Sequence, residues 1–343
     1  MKPLWKSPFA LTFAASDRCA EAMISDRVKM ETSEEFENLL SLYSDELKKR
    51  SPLKHRVFTF MMRRGCGIIS KSIFTALAIL YFVFVFGIVI PFESLYKPRW
   101  LVTMGSVLAV YFYFNVMFYF FMAASTGPGN PKKKPHENNG CKKCRKSKPP
   151  GTHHCSMCRA CIIKMDHHCV WLSQCIGAGN HRYFFQLLAS LTISMFLLLT
   201  FGYNTFYNNY SSNAFSYCSA GFDHLFWSEF ICRDEGELVA KLTTVLLFLS
   251  FILQLVMGGF CASNCFMISY GTTYLEYLMN FRTILKSHPS LDQAKTNWQI
   301  FLGLDEGRSF WNHILLPSFH VSERYIEEEP TMLDKEMLRV VVL

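Results

Sequence analysis

Long uncharged apolar windows alternate along the chain with short stretches that hold nearly all of its charge. No charged residue occurs from Ser72 to Phe92, from Trp100 to Pro131, from Tyr183 to Phe222 or from Leu242 to Leu275. A bilayer-spanning helix needs about 20 apolar residues, so each window is long enough. The pattern predicts spans over 73–91, 101–123, 184–206 and 242–263. Buried helices of a large soluble enzyme are the alternative, but soluble cores seldom hold four such windows. About nine residues, Phe92 to Trp100, join the first two spans, which therefore form an antiparallel hairpin bracketed by Pro91 and Pro98. Ahead of the spans, Phe36, Leu39, Leu40, Tyr43 and Leu47 recur at helical spacing, and Thr32 with Glu35 offers a capping box. These residues predict an amphipathic helix over 32–50, lying on the membrane surface or packed against the rest of the chain. No internal repeat is evident.

Composition agrees with the pattern. Hydrophobic residues make up 50% and charged residues 18%, against a usual charged share of about 25%. Mean hydropathy is +0.15. Disorder, a coiled coil and a typical nucleic-acid-binding protein are excluded, and an all-α polytopic membrane protein is expected.

The net charge of +8 sets the orientation. Segment 124–182 carries Lys132, Lys133, Lys134, Lys142, Lys143, Arg145, Lys146, Lys148, Arg159, Lys164 and Arg182. Loop 207–240 carries only Arg233 among five acids. Cytosolic loops collect Lys and Arg, and four spans put both termini on one side. The expected division is therefore a cytosolic N-terminal region 1–72, a transmembrane hairpin 73–123 and a cytosolic cysteine-rich domain 124–183. Spans three and four follow within 184–263 with a luminal loop 207–240, and then a cytosolic region 264–343. The run Phe9–Ala15 is too short for a signal peptide, so the first span is expected to target the chain.

Seven of the 13 cysteines lie between Cys141 and Cys175. Cys141/Cys144, Cys155/Cys158 and Cys158/Cys161 each have the two-residue gap of a zinc knuckle. A disulfide framework fits poorly, because this segment is expected to face the reducing cytosol. From Cys141 to His181 there are seven Cys and five His. Two structural zinc ions use about eight ligands, and spacing alone does not tell which four are left over. His167 and His168 are adjacent, so their side chains diverge. One can bind metal while the other activates Cys169, and Asp166 can orient the imidazole.

Asp166-His167-His168-Cys169 lies inside this cysteine pattern and is followed by Trp171, Cys175, Gly177 and Asn180-His181-Arg182-Tyr183-Phe184. The segment resembles the DHHC-type protein S-acyltransferases (palmitoyltransferases). The four spans and the place of the domain between spans two and three match as well. Asn297-Trp298-Gln299-Ile300-Phe301-Leu302-Gly303, Gly307-Arg308 and Leu315-Leu316-Pro317-Ser318 resemble the subfamily of zinc-finger DHHC-domain-containing protein sixteen. The resemblance implies one zinc held by Cys141, Cys144, His154 and Cys161, and a second held by Cys155, Cys158, His168 and Cys175. Both would be closed, structural sites. It makes Cys169 the nucleophile, His167 its general base and Asp166 the residue that orients His167. Fatty acyl-CoA, palmitoyl-CoA above all, is the implied donor, and proteins with membrane-proximal cysteines are the acceptors. The implied setting is an endoplasmic reticulum or Golgi membrane, with the active site facing the cytosol.

The chain departs from the family pattern at several positions. Val170 replaces the usual Pro, Ser173 and Gln174 replace two Asn, and Gly127-Pro128-Gly129 lacks the acid of Asp-Pro-Gly. Thr273-Tyr274-Leu275-Glu276 carries Tyr in the second place of Thr-Thr-x-Glu, and Pro289 and Asn297 remain of the C-terminal motif. Lys132–Lys148 and Arg182 are candidate partners for the phosphates of CoA, or for anionic headgroups. Cys66, Cys261 and Cys265 are candidate acylation sites, Cys218 and Cys232 a candidate luminal disulfide, and Asn209 a candidate glycan site. A zinc-binding adaptor or nucleic-acid finger is the main rival function. It leaves a spare Cys beside a spare His unexplained. A channel is disfavoured because the spans lack intramembrane acids and arginines.

Overall fold

The computed structural model describes residues 52–131, 140–144, 148–211, 236–286, 288–304 and 307–319. The expected helix at 32–50, Lys132–Lys134, Arg145, Lys146 and the Cys218/Cys232 pair lie outside the described residues. Two units divide the chain, Met1–Arg64 and Gly65–Leu343. Of the first, only residues 52–64 are described, and they are helical. The second unit holds the apolar helices and the cysteine-rich segment.

Four helices are long and apolar enough to cross a membrane: Gly67–Glu93, Arg99–Ser125, His181–Phe201 and Glu237–Ser269. Their flanks are the reverse of a soluble protein's, with Ile69, Leu77, Leu80, Val107, Phe248 and Leu255 all exposed. Side chains of this kind face hydrocarbon rather than water. Helix α1 (Pro52–Phe84) runs into a π-helical turn, Val85–Val89, and then α2 (Ile90–Glu93). The Ile90 N–H reaches back to Val85 O there. Pro91 has no N–H to offer and its ring crowds the preceding turn, so the wider turn lets the helix continue past it.

Helix α3 (Arg99–Ser125) starts after Pro98 and stops where Thr126 turns extended, before Gly127-Pro128. Helix α4 (His181–Phe201) is the third span. Hydropathy carried this span to residue 206, but the helix stops at Gly202. A Cβ at that position would stand 2.9 Å from Leu198 O. The chain resumes as α5 (Tyr203–Ser211), and after the undescribed loop α6 (Gly236–Ser269) forms the fourth span. The α4–α5 break has a partner on the first hairpin. Glu93 is fully buried and accepts from Thr205 N (2.7 Å), Thr205 Oγ1 (2.8 Å) and Asn204 Nδ2 (2.9 Å). Lys97 pairs with the same carboxylate and also donates to Phe201 O at 2.8 Å. Both oxygens of this buried acid are therefore occupied, which offsets the cost of burying it.

After α6 come α7 (Tyr274–Lys286), α8 (Leu291–Leu302) and a π-helical turn, Trp311–Leu315. Ser290 caps α8 by accepting from Gln293 N at 3.2 Å, and Gly303 ends it at φ 71°. Asn297 of α8 donates to Ser269 O at 2.8 Å, so α8 closes the end of α6. Between α3 and α4 sits a small β-containing domain. Strands β1 (His153–Cys155) and β2 (Ala160–Ile162) form one antiparallel hairpin, and β3 (His167–Cys169) and β4 (Gln174–Ile176) form another. These strands are the one departure from helix among the described elements, and at three residues each they are too short for alternation to reveal.

Candidate active site

The two hairpins are copies of each other. His153-His154-Cys155 and Cys161-Ile162 recur as His167-His168-Cys169 and Cys175-Ile176, offset by 14 residues (153 to 167), with five of ten positions identical. The registers match as well: His154 faces Cys161 across one ladder, and His168 faces Cys175 across the other. Both turns pass through the left-handed region at the same place, Arg159 (φ 51°) and Ser173 (φ 55°). A repeat therefore exists where none was expected. Ten residues with half of them changed give too little self-similarity to stand out in sequence.

The same offset relates three cysteine knuckles: Cys141/Cys144, Cys155/Cys158 and Cys169/Leu172. Each of the first two joins the His and Cys of the next hairpin. Cys141, Cys144, His154 and Cys161 form one group, and Cys155, Cys158, His168 and Cys175 the other, the ligand atoms of each lying within 4.8 Å of one another. In the first, His154 Nδ1 stands 3.7, 3.1 and 3.8 Å from the sulfurs of Cys141, Cys144 and Cys161. In the second, His168 Nδ1 stands 3.7, 3.4 and 3.6 Å from Cys155, Cys158 and Cys175. A tetrahedral zinc with three S and one N ligand sets edges of roughly 3.5–3.8 Å. The donor set and spacing fit that ion in both groups. The thiols also conflict without a cation between them. A hydrogen bond from Cys175 draws Cys158 down to about 3, while the same contact and burial push Cys175 far up. A divalent ion removes that conflict by taking all three as thiolates.

The third knuckle is different. Its second position is Leu172, and no further His-Cys hairpin follows. Cys169 and Leu172 are buried instead among Val116, Tyr119, Phe120 and Ala123 of α3 and Tyr183 and Leu187 of α4. The position that belongs to a Cys3His group in the preceding copy thus carries a thiol at the mouth of the spans. Phe74 of α1 stacks on Phe120 beside it, with ring centroids 3.7 Å apart.

His167 shares a side-chain hydrogen bond with Cys169. Its Nδ1 lies 2.7 Å from Asp166 Oδ2, and its ring packs edge-on against Phe184 at 5.0 Å. Asp166 is 3% exposed, and its other oxygen accepts from Tyr274 N at 2.6 Å. Burial works to raise the Asp166 carboxyl, but the charge of His181 and the hydrogen bond from His167 hold it down at about 2. Burial works to lower His167, but its bonds to Asp166 and Cys169 raise it to about 9. Such a site holds an imidazolium between a carboxylate and a sulfur. Of the four candidates left outside the metal groups, the structure joins Cys169 and His167 with Asp166. His153 stands apart, while His181, whose charge reaches Asp166, bonds to Asn264 Oδ1 at 3.3 Å.

Several residues named in the sequence only as motif positions turn out to have supporting roles. Asn180 is fully buried. Its Nδ2 donates to Cys175 O (3.0 Å), Ala123 O and Thr126 O, while its Oδ1 accepts from Gly177 N at 3.0 Å. Gln174 reaches the same Ala123 and Thr126 carbonyls. Together they dock β4 on the open C-terminus of α3. Gly127-Pro128-Gly129 works through main chain: Pro128 O accepts from Gly179 N at 3.1 Å, and Gly129 O from Ile163 N at 3.0 Å. A Cβ on Gly179 would come within 2.3 Å of Gly127 O, so only glycine admits this contact. Neither contact needs the acid that the motif lacks.

Residues 134–280 match the family model described as DHHC palmitoyltransferase. The chain carries a DHHC palmitoyltransferase domain. The match does not single out a subfamily, and no curated protein matches the chain. In this DHHC domain Val170 and Trp171 are exposed at the tip of the second hairpin, 74% and 72%, so the side chain at the family's proline position faces outward. One expected assignment needs correction. Arg182 is not a free cation for phosphates: it is 8% exposed and engaged by Gln186 Oε1 (3.1 Å), His313 Nε2 (2.8 Å) and Ser318 Oγ (2.6 Å). Lys164 is likewise paired, with Glu276 at 3.0 Å, whereas Lys142, Lys143 and Lys148 are exposed.

Proposed function

We propose that this domain moves a long-chain fatty acyl group, palmitoyl above all, from acyl-CoA to cysteines of substrate proteins through a thioester on Cys169. The observation that carries this reading is the Asp166–His167–Cys169 relay, set apart from both Cys3His groups and opening on the apolar ends of α3 and α4. An imidazolium beside sulfur favours the thiolate, which is the nucleophile. In the first half-reaction the Cys169 sulfur attacks the acyl carbonyl and the C–S bond to CoA breaks. The proton of Cys169, held on His167, passes to the departing CoA sulfur. In the second, the acceptor's cysteine gives its proton to His167 and takes the acyl group, and the proton returns to Cys169. Each half exchanges one thioester for another, so positioning rather than driving force is what the site supplies. Asp166, with one oxygen on His167 and the other on the Tyr274 N–H, fixes the ring so that Nε2 is the nitrogen left for sulfur.

The two Cys3His groups serve structure in this reading. Each would take one Zn²⁺ with four protein ligands, which leaves no open position for chemistry. The acyl chain enters from the bilayer, where burial is worth about 0.8 kcal/mol per CH₂. Lys142, Lys143, Lys148 and Arg159 are the exposed cations left for CoA phosphates among the described residues of this connection. The Lys and Arg bias supports a cytosolic domain and cytosolic termini, and an endoplasmic reticulum or Golgi membrane is the setting that the family resemblance implies.

Positions 155 and 169 are equivalent in the repeat, so a matched pair of variants is the test. Cys169→Ser is expected to keep two zinc ions per chain and to lose the hydroxylamine-sensitive acyl label. Cys155→Ser is expected to lose zinc and folded domain together. Wild-type labelling of Cys169→Ser rejects the nucleophile, and zinc loss in that variant turns Cys169 into a ligand and favours an adaptor.

A further inference from the structure

The second hairpin lacks what holds the first. In the first, Cys155 and Cys158 bracket the turn, and both belong to a Cys3His group. The equivalent pair in the second, Cys169 and Leu172, belongs to none among the described residues. One main-chain bond, Ser173 N to Val170 O at 3.1 Å, closes the Val170–Ser173 turn, and the Val170 and Trp171 side chains face outward. A turn that starts beside a nucleophile needs more than that, because a misplacement of about 1 Å slows group transfer steeply.

Helix α1 supplies the further hold. Ser70 Oγ donates to Trp171 O at 2.6 Å, across 101 residues of chain. The hydroxyls of Thr75, Ser106, Ser125 and Ser263 instead donate to their own helix four residues back. Ser70 directs its one proton to the hairpin. Three residues earlier, Gly67 meets the other end of the turn. A Cβ at Gly67 would stand 3.1 Å from Ser173 Cβ and 3.2 Å from its Oγ, inside ordinary van der Waals separation. Glycine is a poor helix former, and at this position it admits the turn against the helix. Lys71 lies on the same face of α1 and donates to Ala124 O at 3.4 Å. It thereby ties α1 to the end of α3 that Gln174 reaches from the hairpin. From the other side Leu172, 3% exposed, is packed among side chains of α3 and α4.

We infer that Gly67 and Ser70 are positioning residues for the nucleophile. They brace the Val170–Ser173 turn from α1 while Leu172 anchors it on α3 and α4, so Cys169 meets the acyl carbonyl at a fixed place. Both act through the turn. The inference rests on the acyltransferase reading above and adds the element that aims its thiol.

The test loads full-length enzyme in detergent with labelled palmitoyl-CoA in a single turnover. Acyl-Cys169 is followed against time and donor concentration, with zinc content and thermal midpoint measured on the same samples. Ser70→Ala is expected to lower the maximal loading rate about 3- to 10-fold, the scale of one hydrogen bond, with half-saturating donor concentration and zinc content unchanged. Ser70→Thr keeps the hydroxyl and is expected to recover most of that loss. Gly67→Ala is expected to slow loading while the midpoint holds, because alanine is the better helix former. Ser173→Gly removes the opposing Cβ and suits the φ of 55° there, so in that background Gly67→Ala is expected to have no effect on rate. A wild-type rate in Ser70→Ala or in Gly67→Ala overturns the inference. So does a midpoint or zinc content that falls in step with the rate, which makes these contacts supports of the fold alone. Equal slowing by Gly67→Ala with and without Ser173→Gly overturns it too. A wild type that never acquires acyl load on Cys169 overturns the reading beneath it instead.

Discussion

The main-chain N–H of Tyr274 donates to Asp166 Oδ1 at 2.6 Å, so the first residue of α7 holds the carboxylate that orients His167. Thr273 caps that helix. Glu276 N donates to Thr273 Oγ1 at 3.3 Å, and Glu276 Oε2 accepts from Thr273 N at 3.1 Å, which is a capping box. The substitution of Tyr for the family's Thr at 274 therefore leaves this contact intact, since it is main chain. Tyr274→Ala is expected to acylate Cys169 within about two-fold of wild type. Tyr274→Pro keeps the helix, because proline suits the first helical position, yet deletes the N–H. A hydrogen bond to a charged group is worth about 1.5–3 kcal/mol, so acyl loading is expected to slow about 10- to 100-fold with zinc content unchanged. Wild-type loading by Tyr274→Pro rejects Tyr274 as a positioning residue.

Cysteine reactivity gives a second check. With metal in both groups, six of the seven cysteines between Cys141 and Cys175 are ligands and only Cys169 is spare. Alkylation of the folded enzyme is expected to modify Cys169 alone within this segment, and slowly, because it is 7% exposed. A strong chelator is expected to open all seven to alkylation, together with loss of the hairpins. Protection of all six after metal has been removed would falsify the closed-site reading. Peptide mass mapping before and after chelation measures both states.

Apolar windows announced the spans because hydrocarbon imposes a length and excludes charge, and both leave traces in linear sequence. The adjacency of Cys169 to His167 was also legible. Ligand division came from the family resemblance and not from spacing: knuckle spacing is equally good for Cys155/Cys158 and Cys158/Cys161, and it is the hairpin registers that pair His154 with Cys161 and His168 with Cys175. Asn180 and Gln174 were named only as motif positions, and their role stayed hidden because their work is to satisfy carbonyls of Ala123 and Thr126, some fifty residues away, and a polar side chain does not advertise a distant main-chain partner. Arg182 misled for the converse reason. Its charge suggested a phosphate, but the C-terminal segment folds back to meet it.

That segment yields a third prediction. His313 and Ser318 hold Arg182, while Leu315 O accepts from Tyr111 at 2.5 Å and Phe319 packs on Phe118 at 4.9 Å. Truncation after Gly307 strips the guanidinium of these partners and uncovers part of α3. A hydrogen bond to a charged group is worth about 1.5–3 kcal/mol. Gln186 remains beside Arg182, so the lower end is expected, read as a fall in the thermal midpoint of detergent-purified enzyme. Adding Arg182→Met to the truncated chain is expected to recover part of that fall, because no charge then remains uncompensated. An unchanged midpoint on truncation excludes the clamp.

The last prediction concerns the opposite end of the spans, where Glu93, Lys97, Asn204 and Thr205 converge. Loop 207–240 leaves from this end and carries Arg233 beside Asp223, Glu229, Asp234, Glu235 and Glu237, whereas the basic residues of 124–182 lie at the other. We infer from that asymmetry that the DHHC domain faces the cytosol and the Glu93 cluster the lumen. In sealed vesicles with the cytosolic face outward, added protease is expected to remove a tag after Leu343 and to spare one inserted near Ser212. Glu93→Ala leaves the Thr205 N–H and hydroxyl without their acceptor, each costing about 1–3 kcal/mol. It is therefore expected to reduce the yield of folded enzyme without reversing that protease pattern, since loop charge, not this cluster, sets orientation. Protection of the Leu343 tag in the wild type inverts the topology and removes Cys169 from acyl-CoA made in the cytosol.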